Sequence, residues 1–148
     1  LLFANMLLSE IIQFIKQTHS KKSSEPYHLS DLALSEYMGW ALSQDYLFLE
    51  SDENGLNGLL VVYPLKNPCN NLISSILPSN ENVPKNEESK KDLVFMDCIF
   101  KTTKARKSIT QKFMKRYSNW RNQRKLALRK HNLVLLKNKY IELTGGLN

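Results

Sequence analysis

The segment that decides the fold is Leu93-Val94-Phe95-Met96-Asp97-Cys98-Ile99-Phe100, and a basic amphipathic run follows it after three residues. Seven of its eight residues are apolar, and the exception is Asp97. Strands that are buried on both faces have nearly continuous apolar sequences, and a central strand of a sheet is the usual case. The sequence therefore predicts a central strand over 93–100 with one carboxylate inside the protein.

The run after this strand has the period of a helix from Lys104 to about Gln123. The apolar residues on one side of this helix are Ala105, Ile109, Phe113, Tyr117 and Trp120. The lysines on the opposite side are Lys104, Lys107, Lys112 and Lys115. One face is therefore expected to pack on the sheet, while the other presents ammonium groups to solvent.

Two helices are predicted near the start of the chain. The first is predicted by the amphipathic spacing of Leu7, Leu8, Ile11, Phe14 and Ile15, and it is expected to end near His19. A second helix is expected to begin at Ser30 or Asp31, since either side chain can cap it, and to continue through Leu42.

A hairpin is predicted next from two runs, 46–50 and 59–63, that are rich in aliphatic and aromatic residues. Asn54 and Gly55 lie between them, and both residue types tolerate the positive φ that a tight hairpin turn requires. Prolines recur through residues 65–92 among Asn, Ser, Glu and Lys, so this stretch is expected to be a long flexible loop.

The end of the chain is expected to add a short strand at 126–128 and a helix at 133–143, which Gly145-Gly146 would stop. A strand, a helix and a second strand in this order can form a parallel crossover. The expected fold is therefore α+β, with a mixed sheet flanked by helices. The 148 residues fit one domain, spanning 1–148.

Charge is distributed very unevenly along the chain. Residues 1–100 hold 7 Lys and Arg against 13 Asp and Glu, a charge of −6, whereas residues 101–148 hold 14 against one, a charge of +13. So strong a positive charge attracts anions such as nucleic acid, an acidic protein or a phosphorylated cofactor.

Cysteine and histidine are too sparse for a disulfide framework or a common metal site. The two cysteines, Cys69 and Cys98, form no CxxC pair, and Cys98 is expected to be a core residue. We therefore expect no metal site and a reducing, cytoplasmic location. The apolar stretch 1–8 is too short for a membrane span, which needs about 20 residues, and it lacks the basic flank of a signal peptide.

The order of these elements resembles the Gcn5-related N-acetyltransferase (GNAT) fold over about residues 30–146. The turn 52–58 is similar to the acidic Gly-x-x-Gly turn between the second and third strands of that family. The strand 94–100 and the helix after it resemble the central cofactor-binding motif. Further matches, to the next helix of the family, are Asn132, Tyr140 and Gly145-Gly146.

The resemblance implies an N-acyltransferase that uses acetyl-CoA or another acyl-CoA and an amine acceptor. Asp97 would deprotonate the amine, and Tyr140 would protonate the leaving thiolate. A carboxyl group in so apolar a strand is also expected to have a raised pKa. The predicted phosphate-binding residues, at the turn that opens the basic helix, are Lys104, Arg106, Lys107, Ser108 and Thr110.

Two departures from the family accompany this resemblance. Ser108 and Thr110 stand where the phosphate motif has glycines, so anion binding is expected to depend more on the nearby cations. The chain stops soon after Gly146, where the family usually has two more strands, so a truncated or unusual carboxyl end is implied. The chain looks most like small, basic, virus-encoded versions of the fold, which implies the host cytoplasm or a virion.

The alternative hypothesis is a non-catalytic module that binds nucleic acid or an acidic assembly partner, such as one in a virion, through residues 101–139. Basic residues between aromatic residues suit single-stranded nucleic acid, because cations bind phosphates and rings stack on bases. The residues assigned to this interface are Lys112, Lys115, Arg116, Arg121, Arg124, Lys125, Arg129 and Lys130.

Overall fold

The computed structural model describes residues 2–25, 27–66, 83–129 and 132–145. They form a mixed α+β fold, a five-stranded sheet with helices against both faces. The helices are α1 (Leu2–Lys22), α2 (Asp31–Ser43), α3 (Thr103–Arg116) and α4 (Asn138–Gly145), with short 3-10 helices at Lys85–Lys90 and Trp120–Asn122. The strands are β1 (Leu47–Asp52), β2 (Gly55–Leu65), β3 (Asp92–Phe100), β4 (Lys125–Arg129) and β5 (Asn132–Leu136).

The strands lie in the order β1-β2-β3-β4-β5. Only β3 and β4 are parallel, and the other neighbours are antiparallel. The chain passes from β3 to β4 through α3, so the predicted parallel crossover and the central position of β3 are confirmed. Only Leu93 and Val94 of β3 are buried, so the predicted burial on both faces holds for its first residues alone.

Side chains on opposite faces of β2 enter two separate hydrophobic clusters. Leu59, Val61 and Tyr63 pack with α1 and α2, whereas Leu60 and Val62 pack with α3 and Ile141 of α4. Eight consecutive residues of β2, from Gly58 to Leu65, are buried, because the strand is covered on both faces. This is the burial that its apolar sequence predicts.

The hairpin between β1 and β2 is confirmed, but its turn differs from the expected one. Gly55 has φ of +107°, whereas Asn54 is not in the left-handed region. The Asn54 amide instead donates to Asp52 Oδ1 at 2.8 Å, so the Asp52 side chain completes the turn.

The helix expected at 133–143 is wrong. Residues 132–136 form β5, which pairs antiparallel with β4, and the helix begins only at Asn138. The apolar run Leu133–Leu136 fits either period over so short a length, and pairing with β4 decides for a strand. The basic helix α3 is also shorter than expected, since Tyr117 and Trp120 are buried beyond its end.

The loop predicted at about 65–92 is described only at its two ends, since residues 67–82 lie outside the described residues. Its second end is held firmly in place. Glu88 is buried beside Arg116, with 2.8 Å between carboxylate and guanidinium, and the Gln123 amide donates at 2.8 Å to the carbonyls of Glu88 and Lys91.

Gly58 sets how closely α3 approaches the sheet. A Cβ atom on Gly58 would lie 2.7 Å from Ile109 Cδ1 and 3.1 Å from Ala105 Cβ. Both contact residues are fully buried, so neither has space to move away. The absence of a side chain at Gly58 therefore lets α3 lie directly on β2.

We expect Gly58→Ala to lower the free energy of unfolding by about 1–3 kcal/mol, because the added methyl group overpacks this contact. Gly39→Ala is the matched control. A Cβ at Gly39 meets only Leu8 Cδ1, at 3.9 Å, and alanine in the middle of α2 should stabilise by roughly 0.5–1 kcal/mol. Urea unfolding measures the free energy of unfolding of both variants. If both substitutions changed it in the same direction, this account of the packing would be contradicted.

Candidate functional site

β3 and β4 part soon after they begin to pair. Their register covers three residue pairs, from Leu93 with Lys125 to Phe95 with Ala127, although β3 continues to Phe100. On its other side β3 stays paired with β2, with a bulge that leaves Met96 without a partner in that ladder. Bulges of this kind redirect side chains and are frequent beside functional sites.

A cavity of about 140 Å³ lies where the two strands part, on the face that α3 and α4 cover. Leu60, Phe95 and Cys98 of the sheet line its floor. The residues that line it from α3, from the end of β4 and from β5 and α4 include Arg106, Thr110, Phe113, Arg129, Leu136, Tyr140 and Ile141. The cavity is thus largely apolar, with two guanidinium groups and two hydroxyl groups on its wall.

Arg106 is the most informative polar group in this cavity. Its Nε atom is buried and has no hydrogen-bond partner among the described residues. Buried polar groups are nearly always paired in folded proteins. Arg106 also lines the cavity, where its positive charge favours an anionic group.

The segment 105–110, expected to be a phosphate-binding turn, is helical. α3 begins at Thr103, and the Thr102 hydroxyl caps it by accepting from the Ala105 amide at 3.0 Å. The amides of Ser108 and Thr110 are therefore inside the helix, where the backbone bonds to itself. The predicted turn at these two residues is therefore wrong, because the cap places the helix start earlier in the chain.

The five predicted phosphate-binding residues point in different directions. Arg106 and Thr110 line the cavity, and the Thr110 hydroxyl donates to the Arg106 carbonyl at 2.8 Å. Ser108 donates to Glu50 of β1 at 2.6 Å, and this bond, with the Lys112 ammonium, lowers the pKa of Glu50. The other two, Lys104 and Lys107, are exposed.

The two predicted catalytic residues lie on opposite faces of the sheet. Asp97 accepts a hydrogen bond of 2.6 Å from the Tyr37 hydroxyl of α2. Burial raises the pKa of Asp97 above its ordinary value of 3.8, while the bond from Tyr37 and the charge of His28 oppose the shift. Tyr140 lines the cavity on the other face and is half exposed.

Cys98 is exposed, which corrects the expectation of a core residue. It faces the cavity because β4 has already turned away from β3 at this level of the sheet. The protein around it nevertheless desolvates the thiolate and raises the pKa of the thiol to about 11, against the influence of Arg129 and Arg106. The thiol is thus protonated at neutral pH and is a weak nucleophile.

The residues assigned to a nucleic-acid interface are mostly engaged within the protein. Four of them pair with carboxylates, in the pairs Lys112–Glu50, Arg116–Glu88, Arg121–Glu142 and Arg124–Asp92. Lys115 and Arg129 are exposed, and Lys130 lies outside the described residues. The positive charge of the second half is therefore partly neutralised by acidic residues, most of them from the first half.

Lys125 is buried, which corrects its assignment to that interface. Its ammonium donates to the carbonyls of Trp120 and Gln123, and burial lowers its pKa. The nucleic-acid hypothesis requires the rings of Trp120 and Tyr117 to stack on bases, but both rings are buried against Phe113. Lys125, Trp120 and Tyr117 are therefore unavailable to a nucleic acid.

Two features of the site were not predicted from the sequence. One is the hydrogen bond from Tyr37 to Asp97, and the other is the position of Arg129 in the lining of the cavity. Tyr37 lies 60 residues before Asp97, and only the packing of α2 on the sheet brings them together. Arg129 belonged to a basic run, and nothing in that run distinguished it from its neighbours.

Among the described residues, no group of three or more His, Cys, Asp and Glu side chains could hold a metal ion. Within the same residues, no helix is both long enough and apolar enough to cross a membrane. No protein-family model, curated protein or solved structure matches the chain, so its function has to be inferred from the geometry of the site.

Asp97→Asn should remove a pH dependence of stability. The folded-state pKa of Asp97 is raised, so the folded protein binds more protons than the unfolded chain above about pH 3.8. Stability should then fall as pH rises from there through the folded-state pKa. We expect the asparagine variant to lack this fall and to be more stable than the parent at pH 7.

Urea unfolding of the parent and the variant between pH 3.5 and pH 7 measures the effect. Tyr37→Phe is the companion variant, and it should destabilise at neutral pH by about 1–3 kcal/mol because it leaves the carboxylate without its donor. A constant difference between the parent and Asp97→Asn at every pH would contradict the shifted pKa.

Proposed function

We propose that the chain binds an acyl thioester of coenzyme A in the crevice between β3 and β4 and transfers its acyl group to an amine. The observation that carries the proposal is the parting of these two parallel strands over a cavity that Arg106 and Arg129 flank. In open sheets with parallel strands, ligands bind in crevices at the carboxyl ends of the strands.

The free edge of β3 supports this proposal. After Phe95, the side of β3 that faced β4 has no strand beside it in the described ladder. Backbone N–H and C=O groups require partners, and the amides of a pantetheine arm can supply them as a short pseudo-strand. A thioester in this position would carry its acyl group along the cavity floor, beside Cys98 and Phe95.

The guanidinium groups supply the attraction for phosphate. Arg106 and Arg129 both line the cavity, and each can form charge-assisted hydrogen bonds to phosphate oxygens. Side chains would thus perform the role that a glycine-rich backbone performs in the GNAT motif.

The element order gives further support by its similarity to the GNAT fold. Two helices, an antiparallel hairpin, a bulged central strand and a parallel crossover occur here in that order. The departure comes after β4, where β5 returns antiparallel before α4 begins. We therefore infer a GNAT-like core with a different carboxyl-terminal part.

In the proposed reaction the amine nitrogen bonds to the thioester carbonyl carbon, and the carbon–sulfur bond breaks. Asp97 would take the proton from the amine, for which a carboxyl group with a raised pKa is suited. Tyr140 would give a proton to the departing thiolate. Since Asp97 lies on the face that α1 and α2 cover, the amine would approach from there, through the gap between the strands.

The proposal predicts that coenzyme A binds and that both arginines contribute. We expect Arg106→Gln and Arg129→Gln each to weaken coenzyme A binding about tenfold or more, as for the loss of a charged hydrogen bond. Lys107→Gln is the matched control, since Lys107 is an exposed cation on the same helix, away from the cavity. Isothermal titration calorimetry gives the dissociation constants.

No heat of binding at millimolar coenzyme A would refute the proposed function. If Lys107→Gln weakens coenzyme A binding as much as Arg106→Gln does, the protein attracts coenzyme A by its general positive charge and has no defined site for it. The nucleic-acid hypothesis predicts the converse, namely salt-dependent binding of single-stranded DNA by the parent protein and no binding of coenzyme A.

A further inference from the structure

The residues that line the cavity divide into a buried set, which we call the blind end, and an exposed set. Leu60, Phe113 and Ile141 form the blind end, since they are at most 5% exposed and line the cavity from the sheet, α3 and α4 respectively. Cys98, Arg129 and Tyr140 are exposed and mark the side that is open to solvent. Polar groups thus surround the entrance, while the interior ends on hydrocarbon. This arrangement suits a ligand with a polar or anionic head and an aliphatic tail.

The size of the cavity limits that tail. Its volume of about 140 Å³ is close to that of an engineered apolar cavity of ~150 Å³ that stays dry and binds benzene. The space therefore accommodates about six carbon atoms. An acetyl group would leave most of this space empty. The apolar side chains that line it would then make few dispersion contacts with the ligand.

We infer that the acyl group is a short aliphatic chain of about four to six carbons, with its tail on Leu60, Phe113 and Ile141. This inference rests on the proposed function, since it specifies the thioester that the same crevice takes. Arg106, Arg129 and the edge of β3 bind the coenzyme A moiety, which is common to all of these thioesters. The blind end selects among them by the length of the acyl chain.

The first experiment measures dissociation constants for coenzyme A and its acetyl, butyryl, hexanoyl and octanoyl thioesters by calorimetry. Each methylene that enters the blind end should strengthen binding about fourfold. Hexanoyl-CoA has four more methylenes than acetyl-CoA and should therefore bind about 250-fold more tightly, and octanoyl-CoA should gain nothing further because its tail exceeds the space.

Variants at the blind end test where this selectivity arises. Ile141→Phe fills the cavity from α4 and should remove the preference for hexanoyl-CoA over acetyl-CoA. Leu60→Phe fills it from the sheet and provides a second, independent variant if the first does not fold. Ile141→Val is the matched control. It removes one methylene group, and the preference for hexanoyl-CoA should persist or extend to octanoyl-CoA.

The outcomes separate this inference from the proposed function. Equal affinity for acetyl-CoA and hexanoyl-CoA would overturn the inference and leave the proposed function standing. A hexanoyl preference that persists in both filled variants would also overturn it, since the tail would then lie elsewhere. Failure of every coenzyme A species to bind would refute the proposed function itself.

Discussion

The structure depends on how β3 is paired. Over its first residues β3 has a strand on both sides, and its side chains are buried against α2 on one face and α3 on the other. Beyond Phe95 it is paired only with β2 among the described residues, and the space that β4 leaves is lined by α3, β5 and α4. Close packing of α3 on Gly58 places Arg106 and Thr110 beside that space. The cavity thus follows from a sheet that is continuous at one end and divided at the other.

Charge is organised around this framework. The strongly basic second half contacts acidic residues of the first, because Lys112 and Arg116 of α3 reach Glu50, Asp45 and Glu88. Partly exposed pairs of this kind contribute little stability individually, but they fix which cations remain available. Lys104, Lys107 and Lys115 stay exposed on α3. The charge of +13 on residues 101–148 therefore overstates the cationic surface that a partner would meet.

Local sequence patterns were sufficient for most of the sheet and helices, but they do not determine the site. β2 and β3 have apolar runs too continuous for an amphipathic helix, and Ser30 caps α2 as its residue type suggests. The apolar run Leu133–Leu136 fits the period of a helix as well as that of a strand, and it is the pairing with β4 that makes it a strand. The exposure of Cys98 and the bond from Tyr37 to Asp97 depend on distant elements, and no local pattern records them.

The most direct test of the central claim is amide hydrogen exchange along β3, with and without hexanoyl-CoA. If the ligand pairs with the free edge of β3, the amides of residues 97–100 that face the crevice should exchange more slowly when it is bound. The amides of 93–95, already held by β4, should be unchanged. Unaltered exchange at 97–100 under saturating ligand would place the binding site elsewhere and contradict the account.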